Sequence, residues 1–207
     1  MPKGSKELTR AREEEIIDAC ARLFKTMSFK EVTIKEIGKA TTFTRTSIYN
    51  YFQTKEEIFL ALLKREYESW IEDLTLITDG HESMSRAELA DALARSLSER
   101  SVLLNLLSMN LIDIEENSRI DRLIAFKKVY GASMDAVRHC VGKFIPDMDK
   151  AETENFIYSF FPFMYGIYPY AFVTDKQREA MEKAEIHYTY QSVYEIACRG
   201  IRKLLGI

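Results

Sequence analysis

Apolar positions recur at intervals of three and four along the chain and show no strict alternation, a pattern that predicts helices and no strands. Over residues 9–27 the stripe is Ile16, Ala19, Cys20, Leu23, Phe24 and Met27, as wide as a core-facing helix needs. Residues 28–32 form a short link whose Phe29 and Val32 complete a small core. Thr33-Ile34-Lys35-Glu36 has capping-box spacing, so a short helix starts there with Ile34, Ile37 and Gly38 on one face. The period is lost over residues 40–43, a threonine-rich run whose hydroxyls can bond their own backbone, and this predicts a turn. Thr44 caps a third helix over 45–51, with Ile48 and Phe52 inward. Thr54 to Glu57 is a further capping pattern. It opens a helix that carries Ile58, Phe59, Leu62, Leu63, Tyr67, Trp70, Ile71 and Leu74 to about Leu76, roughly 30 Å at 1.5 Å per residue.

A break at 78–85 carries the turn residues Asp79, Gly80 and Ser83, and Ser85-Arg86-Ala87-Glu88 caps a helix running to about Ser98. Another helix is expected over 99–110 on Leu103, Leu104, Leu106 and Leu107. Asn117 is the expected cap of a long helix over 118–144, which Pro146 ends. Residues 151–173 carry aromatics on every face. That helix is therefore either the centre of the core or shared between core and a subunit interface. Its Pro162 and Pro169 free backbone carbonyls, either opening a pocket or fitting a bundle. The last helix, over 188–205, has Tyr190, Val193, Tyr194, Ala197, Ile201 and Leu204 in one stripe and is expected to pack beside it across a two-fold axis.

Residues 32–51 have the form of a helix-turn-helix, whose second helix enters the major groove of DNA by its N-terminal part. The exposed chemistry suits that use. Arg45 can make a bidentate contact to guanine and Asn50 to adenine, while Thr46 or Ser47 can meet base edges or a thymine methyl. Thr33, Thr44, Tyr49, Tyr51 and Lys55 complete the candidate DNA face, Tyr49, Tyr51 and Lys55 being better placed for phosphate. On the helices alone, a solvated hydroxyl-rich face explains the same residues.

The run 33–59 resembles the TetR family of bacterial transcriptional repressors in Thr33, Ile37, Ala40, Thr44, Ser47, Ile48, Tyr49, Tyr51, Phe52, Lys55 and Ile58. It departs at Gly38, where alanine is usual, at Thr41 and Thr42 for alanine-glycine, at Phe43 for valine and at Thr46 for glycine or alanine. Threonine does not tolerate the positive φ that glycine does, so the turn at Thr42 is expected to be built differently or strained. The resemblance implies an all-α chain. An N-terminal three-helix helix-turn-helix domain would be joined by a long helix to a C-terminal helical ligand-binding and dimerisation domain. The expected division is a basic arm at 1–8, the DNA-binding domain at 9–69 and the C-terminal domain at 70–207.

The resemblance further implies a homodimer paired through the C-terminal helices. It also implies a small effector, lipophilic or aromatic, that releases a repressor from a palindromic operator by moving the fourth helix. Candidate lining residues are Trp70, Phe126, Tyr130, Met134, Phe160, Phe163, Met164 and Tyr168, although for each taken singly plain core is the better reading. Two recognition helices about 34 Å apart would read an inverted repeat in double-stranded DNA.

Charge sharpens this picture. Through residue 55 there are 11 lysines and arginines against 7 acids; the rest of the 207 residues hold 18 against 25. The positive end is the end with the motif, and Lys3, Lys6, Arg10 and Arg12 make an arm that either follows DNA or merely solubilises. Cys20, Cys140 and Cys198 have no metal-ligand spacing and suit reduced, buried thiols of a cytoplasmic protein. His81, His139 and His187 are scattered, and no nucleophile or phosphate-binding glycine loop accompanies them, so neither an enzyme nor a cofactor is expected. Residues 156–173 approach membrane-span length, but two prolines, Ser159 and the aromatics mark a buried helix. An effector-independent DNA-binding dimer, constitutive or architectural, is the alternative function; a small-molecule enzyme is less favoured.

Overall fold

The computed structural model describes residues 3–42 and 44–207. Phe43 of the expected turn lies outside the described residues, as do Met1 and Pro2 of the expected arm and the side chain of its Lys3. The described chain is helical without strands. Its elements are α1 (Lys3–Phe24), α2 (Ile34–Lys39), α3 (Arg45–Ile48), α4 (Lys55–Gly80), α5 (Arg86–Ser98), α6 (Ser101–Leu107), α7 (Leu111–Glu116), α8 (Ile120–Phe144), α9 (Lys150–Ala171), α10 (Asp175–Lys183) and α11 (Val193–Leu204). They gather into two compact units. One holds the described residues up to Glu66 with Asn110–Tyr130; the other holds Tyr67–Met109 with Gly131–Ile207. Helices α4 and α8 contribute a stretch to each.

Caps explain most helix starts. Ser85 accepts from Glu88 N–H at 3.2 Å while the Glu88 carboxylate takes the Ser85 N–H at 2.8 Å, the reciprocal box expected there. Asp149 with Glu152, Thr174 with Gln177 and Ser192 with Glu195 repeat it at α9, α10 and α11. Asn117 does not cap α8 as the sequence suggested. It ends the separate helix α7, its side-chain amide donating to Asp113 O at 2.8 Å. The last helix starts at Val193 rather than at 188, because Ser192 supplies the cap.

In the N-terminal unit α1 packs on α2 and α2 on α3 around Ile16, Val32, Ile37, Ile48, Phe52, Ile58 and Phe59, all fully buried. Phe59 anchors it, with Phe24 and Phe29 edge-on at 5.2 and 4.7 Å. Gly38 stands where α2 meets α3. An added Cβ would meet Arg45 N at 3.4 Å and Ile48 Cδ1 at 3.6 Å, ordinary contact distances. Gly38→Ala is therefore expected to raise unfolding stability by about 0.5–1 kcal/mol, since alanine restricts the unfolded chain and favours helix. The check is an upward shift of the urea midpoint at unchanged slope; a downward shift would show that α3 cannot yield there.

In the C-terminal unit α11 packs on α5 and α9, and α9 on α6. Trp70 sits at its centre, fully buried, with Phe161 at 6.0 Å, Phe160 at 6.2 Å and Tyr67 at 6.3 Å. Its indole N–H donates to Ser96 Oγ at 3.1 Å. Helix α9 continues through Pro162 and Pro169, both on its exposed side. A Cβ on Gly200 would lie 2.3 Å from Phe163 Cζ, so glycine lets α11 approach the α9 ring. All three cysteines are buried free thiols, and burial pushes Cys20 up to about 12, which removes it from thiolate chemistry.

Candidate nucleic-acid interface

Thr33 caps α2, its Oγ1 accepting from Glu36 N–H at 3.2 Å. Only half of the expected box forms, because the Glu36 carboxylate turns to Lys39 Nζ at 2.9 Å. The turn then reaches Thr42, which is not in the left-handed region; Glu185 is the one non-glycine residue found there among the described residues. Instead, Thr42 donates its N–H and its hydroxyl to Glu15 Oε1 of α1, both at 2.8 Å. Those two hydrogen bonds, the backbone one first, hold the Glu15 carboxyl below its usual pKa. Arg22 of α1 supports the same turn by donating to Ala40 O at 3.1 Å.

Thr44 caps α3, accepting from Ser47 N–H at 3.3 Å. Single-turn hydrogen bonds continue past Ile48 to Tyr51 and Phe52, and the burial of Ile48 and Phe52 fixes the helix by its inner side. Arg45, Thr46, Tyr49 and Asn50 are left exposed and Ser47 half-buried. The Arg45 guanidinium donates to the Tyr49 hydroxyl at 3.3 Å and lies 5.9 Å from that ring, so a cation and a phenol present as one group.

Two predicted contacts have structural work as well. The Tyr51 hydroxyl accepts from Arg12 Nη1 at 3.0 Å. Lys55 Nζ donates to Phe29 O at 2.8 Å and stands 4.0 Å from the Phe29 ring centroid, tying the start of α4 to the 28–32 link.

The support for this face that the sequence did not reveal comes from residues 110–130. Arg119 grips Glu57, which is 1% exposed, through Nε at 2.6 Å, Nη2 at 3.0 Å and its own N–H at 3.1 Å, while Gln53 N–H adds a bond at 2.8 Å. Burial works to raise the Glu57 pKa, but these bonds outweigh it and hold the carboxyl below its usual range. Thr54, which caps α4 through Glu57 N–H at 3.1 Å, donates to Asn117 O at 2.9 Å. Arg122 joins Glu13 of α1 and lies 5.1 Å over the Phe52 ring. Arg119 and Arg122 each donate to the Tyr51 carbonyl at 3.1 Å, just beyond the C-terminal end of α3, where cations are favoured.

The residues proposed to line an effector cavity divide between the units. Phe126 and Tyr130 belong to the N-terminal unit, rings 6.2 Å apart. In the C-terminal unit Trp70, Phe160 and Met164 are fully buried, whereas Met134, Phe163 and Tyr168 are half-buried. Tyr168 stacks on Phe172 at 4.4 Å, and burial raises its phenol pKa. A separate open cleft of about 730 Å³ lies between α4 and α5, floored by Leu76, Ile77, Met84, Ala87 and Ala92 and rimmed by Asp73, Asp91 and Arg95.

Residues 16–62 match the model of bacterial regulatory proteins of the tetR family, and residues 64–191, more than half the chain, match the tetracyclin repressor-like C-terminal domain. The chain belongs to the TetR family. It is accordingly a DNA-binding transcriptional regulator rather than a member of an enzyme family. The uncharacterized HTH-type transcriptional regulator YfiR of Bacillus subtilis is 33% identical over 63 residues, covering 30% of this chain and 31% of YfiR. The HTH-type transcriptional repressor Rv1474c of Mycobacterium tuberculosis is 29% identical over 68 residues, 33% of this chain and 36% of Rv1474c. The matched stretch thus spans about a third of either relative's length.

Solved structures extend the likeness to the whole fold. A TetR/AcrR-family regulator of Thermobifida fusca superposes with a TM-score of 0.62 at 17% identity, over 94% of this chain and 97% of that one. Bacillus subtilis FadR in complex with stearoyl-CoA gives 0.59 at 14% over 94% and 98%. Thermus thermophilus FadR in complex with lauroyl-CoA gives 0.55 at 20% over 93% of each. Among the described residues no helix is long and apolar enough to cross a membrane, and no cluster of potential metal ligands occurs.

Proposed function

We propose that this TetR-family regulator is a cytoplasmic homodimeric repressor that reads an inverted-repeat operator with α3 and is released by a lipophilic effector. The observation that carries the DNA reading is the exposed set Arg45, Thr46, Tyr49 and Asn50 on a helix whose opposite side is locked into the core. Arg45→Ala and Asn50→Ala are each expected to weaken binding to an operator found by in vitro selection by about 1–3 kcal/mol and to relax base preference at one position per half-site. Electrophoretic shift titrations at fixed salt check this. Uniform loss over all sequences would reassign these side chains to phosphate.

Dimerisation through α9 and α11 is supported by what α9 leaves uncovered. Tyr158, 65% exposed, and Tyr170, 59% exposed, share the outward side with Pro162 and Gly166, beside half-buried Ile196 and Gly200 of α11. Such an apolar face with small residues suits a second copy. The acyl-CoA ligands of the two FadR structures support an acyl effector in the C-terminal unit. The Trp70 cluster is packed ring on ring, so a chain entering there displaces Phe160 or Phe161, whereas the α4–α5 cleft is open already. Titrating lauroyl-CoA into the protein–operator complex tests the effector. If Phe160→Leu blunts release and Ala92→Trp does not, the aromatic cluster is the site.

A further inference from the structure

We propose that Arg119 and Arg122 are positioning residues for DNA recognition, holding α3 by its C-terminal end without touching DNA. This rests on the DNA reading above. A helix of four residues cannot hold itself, since nucleation alone is unfavourable at that length. Its inner side is fixed by Ile48 and Phe52 and its start by Thr44. What remains is its far end, where the carbonyl of Tyr51 accepts from two guanidinium groups, both at 3.1 Å.

Each arginine is itself anchored to another helix of the unit, Arg119 to Glu57 of α4 and Arg122 to Glu13 of α1. The end of the recognition segment is therefore triangulated against α1, α4 and the start of α8. Arg122 also keeps its Nε buried without an acceptor, an arrangement that stability alone would not favour. A guanidinium serves here and an ammonium would serve less well. One nitrogen of Arg122, Nη2, donates to both the Glu13 carboxylate and the Tyr51 carbonyl, and the planar guanidinium lies over the Phe52 ring, a stacking that an ammonium cannot reproduce.

The test uses full-length wild type, Arg122→Met and Arg122→Lys, with Ile16→Val as a core variant of the same unit. Met keeps the stem over Phe52 and removes every donor. Operator Kd is measured at several salt concentrations, at a temperature where circular dichroism shows each protein folded. Arg122→Met is expected to bind about tenfold more weakly with an unchanged salt slope, because a charged hydrogen bond is lost but no phosphate contact. Arg122→Lys should recover part of the affinity, and Ile16→Val should bind like wild type.

Wild-type affinity in folded Arg122→Met overturns the proposal. So does an equal loss in Ile16→Val, which would make the role merely one of stability. A salt slope reduced by about one overturns it too, by making Arg122 a phosphate ligand. Should Arg122→Met not fold, Arg122→Lys carries the decision, and wild-type affinity in that variant overturns the role given to the stacked guanidinium. Failure of wild type to prefer any inverted repeat would refute the DNA reading itself, a result distinct from all of these.

Discussion

Arg119→Ala is expected to lower the stability of the N-terminal unit by about 3 kcal/mol, the lower end of what breaking a buried ion pair costs. The lower end applies because the Arg119 side chain is 36% exposed while Glu57 is 1% exposed. What remains in the variant is a carboxylate out of water with two backbone donors, the N–H of Gln53 and that of residue 119. The pH dependence separates this from simple loss of packing. In the wild type the Glu57 pKa is lowered, so its contribution is present above the unfolded carboxylate value and disappears as pH falls through the folded one. Without the guanidinium that pKa rises from its wild-type position, so the variant's deficit should be largest near pH 7 and narrow towards about pH 4. Urea titrations at both pH values check it; a deficit independent of pH would place the loss in the arginine stem instead.

Trp70→Ala should be at least as severe in the other unit, about 3–5 kcal/mol, because three aromatic neighbours lose the ring against which they pack. Trp70→Phe keeps most of the buried area and removes the bond to Ser96, so about 1 kcal/mol is expected. Ser96 still donates to Leu93 O at 2.8 Å, which leaves no stranded hydroxyl in the Phe variant. Thermal unfolding followed by near-ultraviolet circular dichroism distinguishes the two substitutions. Equal losses would mean that the indole N–H, not the ring, holds the core.

The reading of the N-terminal half from sequence succeeded where local chemistry decides. Thr33, Thr44 and Thr54 each cap the helix expected of them. It failed where partners are distant in the chain. Glu57 and Arg119 are 62 residues apart, and nothing in either neighbourhood announces the other. The same holds for Glu15 beneath Thr42, 27 residues away, which lets a threonine stand where the family uses glycine. Elsewhere the signal was present and unused. Thr174-x-x-Gln177 and Ser192-x-x-Glu195 carry the capping signature, yet α10 buries no residue and so shows no apolar period to draw attention to it. Asn117 misled because asparagine suits both ends of a helix, and α7, with Ile114 alone buried, is too short to reveal a stripe.

The N-terminal unit is assembled from two separate stretches of chain. Transplanting this DNA-reading module onto another family member's body would therefore require carrying residues 110–130 along with the first 66. A chimera cut after Glu66 would inherit Glu57 with no guanidinium beside it and an α3 segment tethered at one end.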